Sequence, residues 1–109
     1  AEHDGATVRL GADRGVLICK TGVGMVIIAN KVHGVRAAAC YDTAIAQSSR
    51  EHNDTNVCVL GANYTDAKKA KEILGVWLRT EHIEERHVRR VKQIKDIETK
   101  INKGRANHV

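Results

Sequence analysis

Three short apolar runs, residues 15–19, 35–40 and 56–60, lack the polar alternation of a strand with one wet face. Such runs fit parallel strands covered on both sides. The segments between and after them have helical character. Residues 25–32 are apolar and stop before His33-Gly34, a helix-ending signal. Thr43–Asn53 has Asp42 or Thr43 available as a cap. Residues 66–80 set Ala67, Ala70, Ile73, Leu74 and Trp77 three and four apart, the spacing of an amphipathic helix. Strand alternating with helix predicts βαβ units, a parallel sheet and one α/β domain over residues 1–109. The last segment, 84–103, repeats Val88, Val91, Ile94, Ile97 and Ile101 among many charges. It predicts a long helix with one apolar stripe, suited to docking on its own sheet or on a partner subunit.

A core for this domain has to be built without Phe, from Val, Ile, Leu and Ala. At 109 residues the chain buries a modest fraction of its surface, and association is a common remedy, so a dimer or larger is expected. The net charge of +5 favours an anionic partner. No aromatic platform or reading motif accompanies the basic residues, so nucleic acid is not the expected one. The longest apolar stretch, 16–28, is broken by Lys20 and is too short to span a bilayer, so no membrane is expected either. Cys19, Cys40 and Cys58 form no Cys-x-x-Cys pair, which speaks against a metal knuckle. Their odd number, without a secretory leader, fits a reducing cytoplasm.

In open parallel sheets, ligands bind beyond the carboxyl ends of the strands. The loop after the first run reads Cys19-Lys20-Thr21-Gly22-Val23-Gly24, directly ahead of a helix. Its glycines let backbone approach a ligand, and free N–H groups at the helix start favour an anion or oxyanion. Ile27 stands where the dinucleotide fingerprint needs a third glycine, and no Gly-Lys-Ser/Thr follows, so neither that fingerprint nor a P-loop is present. Taken alone, Cys19 fits either a structural thiol or a base whose thiolate is favoured by the helix start. Cys40 and Cys58 sit inside apolar runs and read as core. His52 fits a solvated helix end or an acid–base group. Arg86 and Arg90 lie four apart on one helical face, as a solvated basic surface or as a phosphate clamp.

Taken together these segments resemble the type B ribose-5-phosphate isomerases, of the ribose/galactose phosphate isomerase family. The resemblance is carried by residues 13–19 with Thr21-Gly22-Val23-Gly24-Met25, by Ala29-Asn30-Lys31-Val32 with Gly34-Val35-Arg36-Ala37, by Arg50-Glu51-His52-Asn53-Asp54-Thr55-Asn56-Val57, and by Arg86-His87 with Arg90-Val91. It runs from about residue 11 to 98. Ala1-Glu2-His3-Asp4-Gly5 is similar to a degraded form of the family's N-terminal motif. The family has a first strand and a further βαβ unit before the Cys strand. Leu10 here runs straight into Gly11-Ala12-Asp13, so the first strand and part of the second βαβ unit are expected to be missing. The lack of an initiator Met is read the same way.

The resemblance implies a Rossmann-like, three-layer α/β/α fold and an aldose–ketose isomerisation between ribose 5-phosphate and ribulose 5-phosphate through an enediol. It implies Cys19 as the base, with Thr21 and the N–H groups of residues 20–24 on the enediolate and Gly22 and Gly24 against the substrate. His52 would assist ring opening beside Asn53, while His3, Arg86 and Arg90 would hold the phosphate. These groups would come from two subunits of a homodimer or homotetramer, with no metal or organic cofactor. Lys20, Asn63, Glu84-Glu85 and Glu2 depart from the family pattern, at places where it usually has Gly, Arg, a Gly pair and Asp. A hexose 6-phosphate isomerase of the same family and a non-catalytic relative are the alternatives.

Overall fold

A computed structural model of the chain describes residues 6–10 and 13–107, and side chains from 13 to 104. Four strands form one sheet: β1 (Ala6–Leu10), β2 (Arg14–Cys19), β3 (Ala37–Ala39) and β4 (Val57–Gly61), in the order β1-β2-β4-β3. β2, β4 and β3 are parallel, with Gly15 opposite Val57 and Cys19 opposite Gly61. The helices are α1 (Val23–Ala29), α2 (Thr43–Asn53), α3 (Ala67–Arg79) and α4 (Glu85–Asn107).

Successive strand residues face opposite sides, and the core divides accordingly. Val16, Cys58 and Leu60 pack with Cys40, Ala46, Ile73 and Trp77 under α2 and α3. Leu17 and Val59 pack with Met25 and Ala29 of α1 on the other side. The three layers are therefore α1, sheet, and α2 with α3, as the Rossmann-like expectation requires. Val59, Cys40, Cys58, Ile73 and Trp77 are fully buried, so both internal cysteines are core residues.

The one structural departure lies at the sheet's edge. The sequence reading put no strand before residue 14. The structure has β1 running antiparallel to β2, with Ala6 opposite Ile18 and Leu10 opposite Arg14. The sheet is thus parallel with one antiparallel edge strand. The signal was present: Ala6-Thr7-Val8-Arg9-Leu10 alternates apolar and polar residues, the pattern of an antiparallel strand rather than a doubly covered one.

Element ends differ for identifiable reasons. β3 begins at Ala37 rather than residue 35 because side-chain amides take up the preceding backbone: Asn56 Oδ1 accepts from Arg36 N at 2.8 Å, and Asn30 brackets Ala37 through both its carbonyl and amide groups. α1 starts earlier than expected, at Val23, because Gly22 adopts φ 90° and turns the chain into the helix. Asp42, not Thr43, caps α2 by accepting from Ile45 N at 2.8 Å, and Asp66 caps α3 in the same way through Lys69 N.

A buried polar network joins α2, α3 and the entry to β4. The Arg50 guanidinium, 5% exposed, donates to Asp54 Oδ1 at 2.8 Å, to the Thr55 carbonyl at 2.7 Å and to the Thr80 carbonyl at 3.2 Å. Arg36 binds the other Asp54 oxygen at 3.3 Å. Thr55 Oγ1 accepts from the Trp77 indole and pairs with Ser49 Oγ, both at 3.0 Å. Asp54 itself closes α2 at φ 47°, a conformation Asp tolerates better than most residues. Replacing Arg50 with Met would leave two carbonyls without this donor and Asp54 with Arg36 alone, so the variant is expected to lose about 3 kcal/mol in urea unfolding. Exposed Lys68→Ala, on the outer face of α3, should change stability by less than about 0.5 kcal/mol.

Candidate active site

Cys19 is the last residue of β2 and is half-buried. Its Sγ accepts a hydrogen bond from Gly22 N at 3.0 Å, so the chain folds back over the sulfur at once. The end of β4 holds that turn from beneath. Ala62 N donates to the Cys19 carbonyl at 2.7 Å and Asn63 N to the Lys20 carbonyl at 2.9 Å. A Cβ on Gly61 would lie 2.5 Å from the Thr21 carbonyl oxygen, so only glycine fits there. Gly22 is demanded by its positive φ. A Cβ on Gly24 would meet nothing within 4 Å, so the fold itself makes no demand for glycine at that position.

The rest of the loop faces solvent. Lys20 and Thr21 are exposed. Thr21 Oγ1 accepts from Val23 N at 3.3 Å, which leaves the hydroxyl proton free to donate outward. Gly24 N lies in the first turn of α1, where helix geometry supplies no carbonyl partner. A thiol, a hydroxyl and unpaired N–H groups therefore share one open edge, the set a proton abstraction beside a carbonyl requires.

His52 and Asn53 lie elsewhere. They are exposed at the carboxyl end of α2, just ahead of β4, whereas Cys19 pairs with the last residue of β4. The two ends of β4 are about 13 Å apart by strand rise. The His52 ring stacks on His87 with centroids 4.3 Å apart, which puts the start of α4 at the same end. Arg86 and Arg90 are exposed there. The chain thus brings together His52, Asn53, Arg86 and Arg90 at one end of the sheet and Cys19, Thr21, Gly22 and Gly24 at the other. It does not unite the two sets. His3 lies outside the described residues, as does Glu2.

Glu84, one of the departures from the family pattern, is engaged with this basic set. Its carboxylate lies 3.3 Å from Arg86 Nε and 3.2 Å from His87 Nε2. His87 is 4% exposed, and neither ring nitrogen makes a well-formed hydrogen bond. Burial, and then the neighbouring His52, hold His87 below the usual histidine range against the opposing pull of Glu84. His87, Gly61 and the buried half of the Arg50–Asn56 motif were not singled out by the sequence reading. The signal for His87 was its place in the Arg86-His87-Val88-Arg89-Arg90 run, one helical turn below Val91, which is buried.

α4 packs on α2 through His87 and Val91, while Glu98 accepts from Gly34 N at 3.0 Å and Asn102 meets His33. Along the predicted stripe only Val91 is buried; Ile94, Ile97 and Ile101 are 43%, 58% and 49% exposed. Among the described residues no group of three or more His, Cys, Asp or Glu could hold a metal ion, and no helix is long and apolar enough to cross a membrane.

A histidine kept neutral in the folded state binds fewer protons there than when unfolded. Stability is therefore complete above the unfolded value near 6.5 and falls as pH drops below it. Urea midpoints for the protein should decline between pH 7 and 5, and His87→Gln should flatten that decline; an unchanged slope would show that His87 titrates normally.

Comparison with known proteins agrees with this fold. The family model described as Ribose/Galactose Isomerase matches residues 3–94. D-erythrulose-4-phosphate isomerase of Pectobacterium atrosepticum is 53% identical over 68 residues, 62% of this chain and 45% of that protein. Ribose-5-phosphate isomerase B of Escherichia coli is 46% identical over 90 residues, 83% of this chain and 60% of that protein. Among solved structures, ribose-5-phosphate isomerase B of Clostridium thermocellum superposes with a TM-score of 0.78 at 46% identity, over 83% of this chain and 61% of that one. The type B enzyme of Trypanosoma cruzi gives 0.78 at 47%, over 82% and 60%. The chain thus spans about six tenths or less of the length of the relatives it matches. By sequence and by fold alike, the chain belongs to the ribose/galactose isomerase family.

Proposed function

We propose that this chain is a sugar-phosphate isomerase that interconverts ribose 5-phosphate and ribulose 5-phosphate with Cys19 as its base. The observation that carries the reading is the Cys19 sulfur, half-buried at the open end of the sheet under the Gly22 N–H. In the forward direction the Cys19 thiolate takes the proton from C2 of the open-chain aldose. The C–H electron pair becomes the C1–C2 double bond, and the carbonyl pair moves onto O1. The Thr21 hydroxyl and the Gly24 N–H face the developing oxyanion, where preorganised donors act most strongly. Transfer of the O2 proton to O1 and return of the abstracted proton to C1 leave a hydroxyl at C1 and the ketone at C2. The reading needs no metal or organic cofactor.

The remaining groups act on the substrate's other end. His52, exposed and stacked on His87, serves ring opening, with Asn53 beside it. Arg86 and Arg90, one turn apart on α4, hold the phosphate. A single copy separates these groups from Cys19 by the length of the sheet, so the working site takes Cys19 from one subunit and the His52–Arg90 set from another. The unpartnered stripe of Ile94, Ile97 and Ile101 gives such a homodimer or homotetramer apolar surface to bury. The expected setting is the cytoplasm, consistent with three free thiols.

A shorter sugar phosphate is the second reading. It is favoured by Glu84, which engages Arg86 and places a negative charge beside the phosphate clamp, and by the resemblance to the P. atrosepticum isomerase.

Purified protein without added metal is expected to form ribulose 5-phosphate from ribose 5-phosphate; absence of turnover on pentose and tetrose phosphates alike would contradict the reading. Cys19→Ala should keep its fold and lose at least about a thousandfold in kcat. Arg86→Ala should raise KM about tenfold or more with a smaller change in kcat, as for an anchor that binds ground and transition states alike. A drop in kcat alone would assign Arg86 a different role.

A further inference from the structure

One side chain outside the motifs touches the Cys19 loop from the bend between β3 and α2. The Tyr41 hydroxyl donates to the Thr21 carbonyl at 2.7 Å. That carbonyl belongs to the same peptide group as the Gly22 N–H, which lies 3.0 Å from Cys19 Sγ. In a planar trans peptide the C=O and N–H point to opposite sides. A donor on the oxygen therefore fixes the direction of the N–H and, by polarising the amide, strengthens it as a donor. The relay runs from the phenol, through one peptide, to the sulfur.

Tyr41 is held firmly enough to do this. It follows Cys40, which is fully buried with its N–H on the Val59 carbonyl at 3.0 Å, and precedes Asp42, the cap of α2. Its ring meets Tyr64 edge-on, with centroids 5.9 Å apart at 86°. A Cβ on Gly22 would sit 3.6 Å from the Tyr41 hydroxyl, so the phenol also closes the space above the turn. Beside it is a hollow of about 550 Å³ lined by Thr21, Val23, Tyr41, Tyr64 and Lys69. The ionisable groups around the loop are thus Lys20, Tyr41, Tyr64 and Lys69, while the Asp42 carboxylate is committed to Ile45 N.

We propose that Tyr41 is a positioning residue for the Cys19 loop: by holding the Thr21–Gly22 peptide it sets how strongly the Gly22 N–H stabilises a thiolate at Cys19. Its meaning for catalysis rests on the reading of Cys19 as the base, but its test does not require turnover. Iodoacetamide alkylates a thiolate with release of iodide, and Cys40 and Cys58 are fully buried, so alkylation of the native protein reports on Cys19.

The experiment compares the full chain with Tyr41→Phe, which keeps the ring on Tyr64 and removes only the hydroxyl. Alkylation at pH 7 is expected to slow about fivefold, the usual worth of one hydrogen bond, and the pH profile of the rate is expected to move to higher pH. Native folding of the variant is checked by its thermal melt. A profile that does not move would overturn the proposal. So would alkylation that is faster at every pH, because Tyr41 would then only shield the sulfur. If the variant melts early, Tyr41→His, which can also donate from a ring, replaces it as the probe, and recovery of the wild-type profile is the expected result. Failure of isomerase turnover with a shifted profile would leave Tyr41 in this role and remove only the catalytic reading of Cys19.

Discussion

The buried guanidinium of Arg50 is the constraint on which most of this structure depends. A charge that is 5% exposed is tolerated only where its donors are used, and Arg50 spends them on Asp54, Thr55 and Thr80. Those partners belong to the end of α2, the entry to β4 and the end of α3. Arg14 and Arg50 also flank the Trp77 ring, at 5.6 and 6.0 Å from its centroid. One side chain thereby sets where three elements stop and start. His52 and Asn53 project from the same turn, so their place in space is a consequence of the network rather than of any contact they make with the Cys19 loop.

A second crowding point governs the opposite end. Gly61 leaves room for the Thr21 carbonyl, and that contact presses the Cys19 loop against the end of β4. The loop's backbone is then occupied at Cys19 and Lys20 by β4 and at Thr21 by Tyr41, which leaves Gly22 N–H for the sulfur. Two rigid anchors, at opposite ends of one sheet, hold two incomplete sets of groups. The parallel sheet separates them, and in the proposed arrangement a second copy of the chain brings them together.

Much of this was legible in the sequence, for physical reasons that differ by element. Three doubly covered strands announce themselves because a strand buried on both faces has no polar alternation, α2 because Asp42 or Thr43 offers a cap, and α3 because its apolar spacing is helical. β1 carries a different signal, because its alternating pattern is the mark of an edge strand with one wet face rather than a doubly covered one. In the site, Cys19 and the His52–Asn53 pair stood out by residue type and motif. Gly61 and Tyr41 did not, since a close approach and a hydroxyl relay depend on strand register, which a single sequence does not display. The motif at 50–57 carries the family resemblance as one run; the fold divides it into buried Arg50, Thr55 and partly buried Asp54 and Asn56, which brace the backbone, and exposed His52 and Asn53.

In the proposed arrangement a working site is assembled from two copies, one giving Cys19 and the other His52. Mixing separately inactive Cys19→Ala and His52→Ala proteins, after unfolding and refolding them together, tests it most directly. In a randomly paired dimer, half the molecules would be mixed and each would hold one intact site, so activity should return to about a quarter of wild type. Mixtures that stay as inactive as their components would contradict the account, and would place Cys19 and His52 in the same subunit's site or in none.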